Sequence, residues 1–431
     1  MSSQLVFVLE WRITMSEPLM LEASLELSRT DWLLILRTKA GEYFLERGYK
    51  IVEPVPIVQT QMNVVDSDVS LVGSTTNVLK RFLTNLDSVG DGLYLFQSKV
   101  RTQNISQYFT DTDLVYASAF TGFGLWVLPN DYVRMCEDVA SFLVNVIGLP
   151  RESMQITSSY TYIDLWKPWR ELEFRIQFDP DEERFLWKFG TSPVGDLCGE
   201  GLYVDLVDPQ TGLVIGDLAS IEIVRSSIDG RPFVFEMGLG FETITARYLS
   251  TQQKDLSPIW CTSAADHFKV SISPETTNFL DALNTVGILL ANGIDLKGRQ
   301  KGSGYGSTIL KRFLSAVKFY AVEGKFEKYV LKKTISGVLG KTHSLPTEIV
   351  DNVLSSTMQY IDRFNFFTEA VTRFIVDGDI SDHQVIPGFK QARDRGLVFS
   401  VLQSARESQL ENLNVHKLIA DCWNCNQHWF F

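Results

Sequence analysis

Cysteine, histidine and long apolar runs are all scarce in this sequence, and each shortage argues against a class of protein. The five cysteines among 431 residues are few and odd in number, which fits a reducing compartment better than a disulfide framework. No stretch approaches the roughly 18 consecutive apolar residues of a membrane span. Residues 1–9 lack the basic start and the cleavage site of a signal peptide. We therefore expect a cytoplasmic protein that does not enter a membrane.

Excess positive charge and the familiar nucleotide and hydrolase motifs are also lacking. Lys and Arg number 40 against 52 Asp and Glu, and the formal net charge of -12 disfavours broad binding to a polyanion. The sequence has no P-loop, no Rossmann fingerprint and no nucleophile elbow. His267, His343 and His383 lie in unrelated segments, so they indicate no acid–base group.

The sequence does contain enough apolar material for more than one globular domain. Hydrophobic residues make up 45% of it, and at about 100 to 200 residues per domain its length predicts two or three domains. Strand patterns separated by Asp-Gly and Thr-Gly turns predict hairpins and a mainly antiparallel sheet. The predicted strands are Leu93–Val100, Leu172–Phe178, Leu202–Val207, Ala219–Val224 and Phe233–Met237.

Helical periodicity dominates both ends of the chain. It precedes the strands at Leu25–Arg47, where Gly48 ends the run, and it resumes after about Ser273. The later predicted helices are Asn278–Ala291, Ser307–Val322, Thr347–Phe374 and Pro387–Ser408. We therefore predict an α+β fold with an antiparallel sheet flanked by helices over residues 1–262, followed by an all-α helical domain over residues 263–431.

The strongest local signal is the segment Phe235–Glu242, in which a strand pattern runs into two closely spaced glycines and an apparent helix. Glycines at 238 and 240 let a backbone approach a ligand closely, and a helix N-terminus favours an anion. Turn glycines without a ligand are the alternative explanation.

This segment resembles the third signature of class II aminoacyl-tRNA synthetases, in which an acidic residue, two glycines and a Glu-Arg pair follow a strand. Other segments are similar to the alanyl-tRNA synthetase family, in the family's order and over about residues 33 to 350. They are Arg37 with Phe44–Tyr49 and Pro54–Val58, Leu71–Leu83, Phe96–Arg101, Ala119–Phe123, Phe185–Gly190, Ile221–Arg225 and Asn278–Tyr320. The resemblance implies a paralogue limited to the class II catalytic domain and the helical domain of that family.

The resemblance implies a site for ATP, with Mg²⁺ as its companion ion. Arg101, in the second signature, would act in catalysis by stabilising charge on the α-phosphate with its fixed fork of donors. Phe120 and Phe123 would stack the adenine, or else both belong to the core of the sheet. Gly240 would approach the nucleotide. Arg247 would contact a phosphate, or else it is a solvated helix arginine.

The resemblance also implies a pocket for alanine or another small amino acid. Trp187 would form its wall, Glu236 would hold the substrate ammonium, and Gly238 would admit the substrate. Arg225 stands where the family has a pocket asparagine. It would bring a positive charge into the pocket, or else it is a surface arginine on a strand.

Several departures from the family's pattern fall on residues that handle phosphate and tRNA. Thr243 stands where the family has the arginine that holds the γ-phosphate, and a hydroxyl cannot replace a bidentate cation. Thr102–Ser106 lacks the family's Gly-Gly-Lys-His-Asn loop, and Asp281–Asn284 replaces its Asp-His-x-Arg. Fewer cations mean fewer phosphate contacts, so we expect tRNA binding to be weakened.

The C-terminal tail contains half of a zinc-site pattern in Cys422, Cys425 and His428. A tetrahedral site needs four ligands, and only His416 lies nearby in the sequence. We therefore favour a tail that packs its aromatic residues onto the helical domain, and we assign no metal ligands.

These observations predict an ATP-dependent ligase that activates alanine or another small amino acid as the adenylate and transfers it to a small-molecule acceptor. A non-catalytic paralogue that binds an amino acid, a nucleotide or a partner protein is an alternative, favoured by Thr243. A tRNA-dependent aminoacyl transferase is a third hypothesis, and it requires a basic strip around Lys311 and Arg312. The oligomeric state stays open, with a homodimer among the alternatives.

Overall fold

The computed structural model describes residues 29–60, 69–102, 105, 108, 117–208, 211–241, 271, 273–294 and 304–377. One helix comes first, then strands with helices among them, then helices alone. The helices are α1 (Arg29–Glu46), α2 (Thr76–Leu79), α3 (Tyr132–Ser141), α4 (Ile163–Glu171), α5 (Pro274–Ala291), α6 (Gly304–Glu323), α7 (Lys328–Ile335) and α8 (Thr347–Asp377). The strands are β1 (Lys50–Ile51), β2 (Val58–Thr60), β3 (Val69–Leu71), β4 (Leu93–Val100), β5 (Ala119–Val127), β6 (Met154–Ser158), β7 (Arg175–Phe178), β8 (Leu186–Ser192), β9 (Gly195–Val207), β10 (Val214–Ser226) and β11 (Pro232–Gly240).

The chain forms two compact units, and both are assembled from separate stretches of sequence. Unit 1 contains Met1–Val52, Leu79–Leu95 and Phe123–Phe241, and unit 2 contains Glu53–Val78, Phe96–Gly122 and Glu242–Phe431. The unit boundaries therefore fall within strands β4 and β5. The boundary predicted between residues 262 and 263 lies outside the described residues, and it stays a prediction.

A mixed sheet with mostly antiparallel pairs belongs to unit 1, except for the ends of β4 and β5. Its strand order is β1-β4-β5-β11-β10-β9-β6-β7, and β8 pairs with β9. The pairs β8–β9, β9–β10, β10–β11 and β6–β9 are antiparallel, whereas β1–β4 and β6–β7 are parallel. The predicted α+β class, a mainly antiparallel sheet flanked by helices, is confirmed.

Helix α1 contributes its apolar stripe to the core of unit 1. Ala40 and Phe44 are fully buried, and the ring centroid of Phe44 lies 5.3 Å from those of Tyr49 and Phe142. Gly48 has a φ of +87°, a left-handed conformation that favours glycine, and it follows the end of the helix. The helix predicted from the sequence is confirmed over its described part.

The predicted strands need correction at their ends. β7 begins at Arg175 rather than at Leu172, because α4 extends to Glu171 and Glu173 takes a left-handed φ of 65°. β9, β10 and β11 are all longer than the sequence patterns indicate, and β6 was not predicted at all. Long paired strands continue through polar positions because neighbouring strands satisfy their backbone groups.

Unit 2 has an apolar core to which the later helices contribute. Helix α5 is buried along almost its whole length, which is the pattern of a central core helix. Its N-cap is Ser273, whose hydroxyl oxygen accepts a hydrogen bond from the N–H of Thr276 at 3.2 Å. The helices predicted at 278–291, 307–322 and 347–374 are confirmed. The helix predicted at 387–408 lies outside the described residues.

The same core takes in residues from the earlier stretches of unit 2. Ile57, Val100, Ile105 and Tyr108 are buried in one cluster with the apolar faces of α5 and α6. The ring of Tyr108 lies 5.8 Å from that of Phe313 in an edge-to-face arrangement. Strand ends and helices of unit 2 thus share one hydrophobic core. Of the helices that the structure describes, none is both long and apolar enough to cross a bilayer.

Candidate functional site

Two glutamates lie side by side in the sheet of unit 1. Glu222 of β10 is directly opposite Glu236 of β11 on one side and Gly201 of β9 on the other. Directly opposite residues of antiparallel strands share a face of the sheet, so the two carboxylates are neighbours. Glu236 is 2% exposed and Glu222 is 5% exposed. Because buried like charges repel, this row of acidic residues favours a positive charge beside it, from the protein or from a ligand.

Lys80 supplies positive charge to this row. Burial lowers the pKa of its ammonium, and the charges of Glu236 and Asp196 act in the opposite direction. The Nζ of Lys80 also donates a hydrogen bond to the backbone carbonyl of Phe189. We call Glu222, Glu236 and Lys80 the glutamate row.

Trp187 and Gly201 border the glutamate row. Trp187 of β8 lies opposite Gly199 of β9, and residues 199 and 201 share a face because side chains alternate along a strand. A Cβ on Gly201 would lie 2.8 Å from the Trp187 ring and 3.0 Å from the Cα of Glu222. The tryptophan therefore occupies space that a side chain at Gly201 would need. Trp187 thus lies beside β9, and Glu222 of β10 stands between Gly201 and Glu236, so the predicted pocket wall and the predicted ammonium ligand are separated by one strand of the same sheet.

Gly238 and Gly240 continue the face on which Glu236 lies. They follow Glu236 at intervals of two along β11, and the strand ends at Gly240. Both glycines are strand residues without a left-handed φ, and Phe241, the next residue, is helical, as the sequence pattern of a strand followed by a helix predicts. A Cβ on Gly238 would lie 3.4 Å from the Oγ of Ser220. Because glycine has no side chain, residues 238 and 240 leave this face of β11 uncovered by side-chain atoms of their own beside Glu236.

Arg225 lies on the opposite face of the sheet. It follows Glu222 by three residues, its register with β9 is continuous, and its partner there is Cys198. Its Nε lies 3.6 Å from a carboxylate oxygen of Glu200, and its Nη1 donates to the Gly230 carbonyl at 3.2 Å. The structure does not bring Arg225 together with the other residues predicted for the amino-acid pocket.

A second group, in unit 2, joins two cations to one aromatic ring. The guanidinium carbon of Arg101 lies 5.3 Å from the ring centroid of Phe120, and the Nζ of Lys99 lies 5.8 Å from the same centroid. Both distances are in the range of cation–π contacts. The N–H of Arg101 donates to the Ser118 carbonyl at 2.7 Å, which ties the end of β4 to the start of β5. We call Lys99, Arg101 and Phe120 the cation pair and its ring.

Gly122 makes room for Lys99. A side chain at Gly122 would collide with the Cδ, Cε and Nζ atoms of the lysine. Lys99 is only 7% exposed, and burying an ammonium is costly unless its surroundings compensate. Lys99 and Arg101 lie two residues apart and so share one face of the strand. Two cations beside a half-buried ring are suited to a phosphate next to an aromatic base.

Phe123 is fully enclosed in unit 1. It is 0% exposed, and its ring centroid lies 5.1 Å from that of Phe44 and 5.5 Å from that of Phe241. A ring enclosed by other rings presents no face on which a base can stack. This placement favours the sheet-core alternative for Phe123, and adenine stacking stays a prediction for Phe120.

Several predicted residues lie outside the described part of the chain. They are Glu242, Thr243 and Arg247, together with the tail residues Cys422, Cys425 and His428. Within the described ranges, no three side chains of His, Cys, Asp or Glu are grouped so that they could hold a metal ion. We therefore assign none of these described residues to Mg²⁺.

Lys99, Lys80 and Glu222 were missed as site residues from the sequence. Lys99 could have been found, because a residue two positions before Arg101 in a predicted strand shares its face. Glu222 and Lys80 come near Glu236 only through the register of β10 with β11 and through tertiary packing. No local pattern indicates either of them.

Comparison with known proteins gives matches only among solved structures, since no family model and no curated protein matches the sequence. A pyrrolysyl tRNA synthetase from Desulfitobacterium hafniense is 13% identical over 52% of this chain and 72% of its own, with a TM-score of 0.32. Asparaginyl-tRNA synthetase from Entamoeba histolytica, in complex with asparaginyl-adenylate, is 13% identical over 53% of this chain and 66% of its own, with a TM-score of 0.33.

Histidyl-tRNA synthetase from S. aureus is 12% identical over 64% of this chain and 84% of its own, with a TM-score of 0.31. These three structures are class II aminoacyl-tRNA synthetases, and none is specific for alanine. TM-scores this low carry no conclusion about activity. The fold class of this chain rests on its own strand order and register, and what each structure in the comparison binds is a property of that protein.

Proposed function

We propose that this chain activates a small amino acid with ATP, forms the aminoacyl-adenylate and passes the acyl group to an acceptor other than tRNA. The observation that carries the proposal is the cation pair and its ring in unit 2. Bound ATP supplies the adenylyl group, which becomes joined to the carboxylate of the amino acid as pyrophosphate departs.

The cation pair is suited to the charge that this reaction moves. Arg101 presents a planar fork of donors to an α-phosphate, and Lys99 adds a second positive charge on the same face. Preorganised charges of this kind stabilise a transition state without reorganising during the reaction. Phe120 is half-buried and offers its ring to the base. Adenylate formation then needs positioning and charge stabilisation more than acid–base catalysis.

The glutamate row is suited to the other substrate. Glu236 and Glu222 place two buried carboxylates side by side, and the ammonium of a substrate is complementary to them. Trp187 fills the space beside Gly201 and leaves little room for a long side chain. We therefore propose alanine or an amino acid of similar size.

The proposed acceptor is a small molecule, because the departures from the synthetase pattern fall on tRNA and phosphate contacts. Thr243 stands in place of an arginine, and Asn284 stands at the position of another. In the helical region Lys311 is half-buried while Arg312 is exposed, which is a thin basic surface for a polyanion. Mg²⁺ as the companion of ATP and a cytoplasmic location belong to the same proposal.

A non-catalytic binding protein is the second candidate, and the substitution at Thr243 favours it. Such a protein would keep affinity for an amino acid or a nucleotide without joining them. A tRNA-dependent transferase is the third. A gel-shift assay with total tRNA at moderate salt separates that hypothesis from the other two, and retardation would support it.

The decisive experiment is pyrophosphate–ATP exchange with each amino acid in turn. We expect exchange that depends on one or a few small amino acids. Arg101→Ala should lower the exchange rate by about 100- to 1,000-fold, the usual loss when one charge-stabilising donor is removed. Arg151→Ala is the matched control, because Arg151 pairs with Glu173 at 2.8 Å and lies over the ring of Phe174 rather than that of Phe120.

The outcomes separate the candidates. Exchange that survives Arg101→Ala would remove Arg101 from the site. No exchange with any amino acid would contradict adenylate formation. Equilibrium binding of ATP without exchange would favour the non-catalytic candidate.

A further inference from the structure

Asp281 is a buried carboxylate in unit 2 that the proposed function does not use. It lies on α5, is 2% exposed and is surrounded by the apolar core of the helices. The N–H of Ser118 donates to both of its oxygens, at 2.9 Å and 3.2 Å. The hydroxyl of Tyr108 donates to its Oδ2. A carboxylate in such a core is costly, so its hydrogen bonds have to compensate.

Neutral donors provide that compensation. Burial raises the pKa of Asp281 to about 6, and the hydrogen bonds from Ser118 and Tyr108 pull it downward. The titratable groups facing it are Tyr108, from the stretch before β5, and Tyr320 of α6, whose hydroxyl donates to the Tyr108 carbonyl. An apolar residue would suit this core better, unless the carboxylate holds something in place.

The Ser118 peptide is what the carboxylate holds. Its N–H donates to Asp281, and its C=O accepts the N–H of Arg101 at 2.7 Å. Its Oγ lies 2.7 Å from the Tyr108 hydroxyl. Ser118 precedes Phe120 by two residues, so one residue connects the backbone of Arg101, the start of β5 and the carboxylate on α5.

We propose that Asp281 is a positioning residue for the adenylate-forming reaction: through the Ser118 peptide it fixes the backbone that carries Arg101 and Phe120. The inference rests on the proposed function for its catalytic meaning. Asp281 touches no substrate in this role. Its effect reaches the reaction through two consecutive hydrogen bonds, and a misplacement of about 1 Å at a reacting group can cost about 100-fold in rate.

The test compares three variants with the wild type. Asp281→Ala removes both acceptors, whereas Asp281→Asn keeps an acceptor for the Ser118 N–H. Asn284→Ala is the matched control, because Asn284 lies one turn along α5, is also buried, and bonds to Nε2 of His343 at 2.9 Å instead. Each variant is examined by amide hydrogen exchange, by pyrophosphate exchange and by urea unfolding.

We expect Asp281→Ala to speed amide exchange in peptides covering residues 96–122 by at least about tenfold relative to Asn284→Ala. Its pyrophosphate exchange rate should fall by about 10- to 100-fold at saturating amino acid, with the KM for the amino acid unchanged. Asp281→Asn should keep both the amide exchange and the pyrophosphate exchange rate close to those of the wild type. If Asp281 served only the stability of the fold, Asp281→Ala and Asn284→Ala would both lower the free energy of unfolding. Asp281→Ala would then cause neither faster amide exchange in residues 96–122 relative to the control nor a lower pyrophosphate exchange rate at saturating amino acid.

Amide exchange in residues 96–122 that matches the Asn284→Ala control would overturn the inference. A kinetic effect confined to the KM for the amino acid would overturn it too. If the wild type catalyses no pyrophosphate exchange, the proposed function fails, and the amide readout alone decides whether Asp281 holds the strand pair. Should Asp281→Ala fail to fold, the same comparison is made with Tyr108→Phe, which removes the hydroxyl that donates to Asp281 and keeps the ring.

Discussion

The two units bury carboxylates in opposite ways. In unit 1 the carboxylates of Glu222 and Glu236 adjoin each other, and Lys80 carries the opposite charge beside Glu236. In unit 2 the carboxylate of Asp281 is held by neutral N–H and O–H donors inside an apolar core. An arrangement with charges on both sides can exchange one cation for another, and so it suits a ligand. An arrangement of neutral donors holds a backbone segment in place, and so it suits a structural role.

The largest effect that sharpens this comparison is expected at Gly201, beside the glutamate row. In Gly201→Ala the new methyl would press on the Ile221 carbonyl and on the Trp187 ring. Since the Ile221 carbonyl is backbone and cannot turn away, we expect a loss of about 3 kcal/mol in the free energy of unfolding. Urea denaturation measures it.

Gly230→Ala is the control for that substitution. Gly230 has a φ of +68° and nothing within 4 Å of a new Cβ, so only backbone strain of about 1 kcal/mol is expected. Equal losses in the two variants would show that the space beside Trp187 is not tightly filled.

A similar effect is expected on substrate binding at Glu236. Glu236→Gln removes the negative charge proposed to hold the ammonium, and an ionic hydrogen bond contributes about 1.5 to 3 kcal/mol. The KM for the amino acid in pyrophosphate exchange should therefore rise by about 10- to 100-fold. Glu171→Gln, at an exposed helix end, should leave it unchanged. An unchanged KM in Glu236→Gln would show that the carboxylate of Glu236 does not bind the substrate ammonium.

The next effect concerns the pH dependence of stability through Asp281. Its folded pKa of about 6 lies above the value of about 3.9 in an unfolded chain, so the folded state binds the proton more tightly. The stabilising effect of protonation is complete below about pH 4 and is lost as the pH rises to about 6. Asp281→Asn does not titrate.

Relative to wild type, Asp281→Asn should therefore gain about 2 kcal/mol in the free energy of unfolding between pH 4 and pH 7. Urea denaturation at both pH values measures this difference, and Asn284→Ala should show no such trend. A difference that does not change with pH would mean that the neutral donors fully compensate the buried charge.

The smallest effect is expected at Lys80. Lys80→Met removes a positive charge whose burial outweighs the attraction of Glu236 and Asp196, and because the lysine is only half-buried we expect a gain of less than about 1 kcal/mol in the free energy of unfolding near neutral pH. The amino acid should bind several-fold more tightly, since its ammonium no longer competes with Lys80. Lys167→Met, which loses an exposed ion pair at 4.0 Å, is the control in urea denaturation. Weaker binding in Lys80→Met would show that the lysine supports the pocket rather than competing for it.

Regular periodicity explains which parts of the fold could be predicted from the sequence. Strand β4 was predicted with its bounds, and helices such as Thr347–Asp377 were predicted because their apolar residues recur at helical spacing. Strand β6 escaped prediction because its sequence Met-Gln-Ile-Thr-Ser mixes polar residues with apolar ones, although all five are buried. The strand pairs on both sides, with β7 and β9, and among its polar side chains the hydroxyl of Thr157 donates to a carboxylate oxygen of Asp205 and accepts from the amide of Gln155.

The residues of the candidate site also divide into those that the sequence indicated and those that it did not. Arg101 and Phe120 were predicted from local sequence and do lie together. The position of Arg225 was not predictable, because only the register of β10 with β11 shows that Glu222 shares a face with Glu236. Arg225 is three residues after Glu222 and therefore lies on the other face. The role of Lys80 depends on a contact between segments more than 150 residues apart, which no local pattern contains.

The unit boundaries inside β4 and β5 have a practical consequence for anyone who wishes to divide this protein. No single cut separates the units, because the stretches 53–78 and 96–122 belong with the helices that follow residue 241. A fragment ending near residue 262 would keep Ile57, Val100 and Tyr108 but lose the α5 and α6 side chains that cover them. Such a fragment would expose apolar surface and would lose Asp281 as well. The helical region therefore cannot be removed as a separate domain. The function of this chain has to be tested with point substitutions rather than truncations.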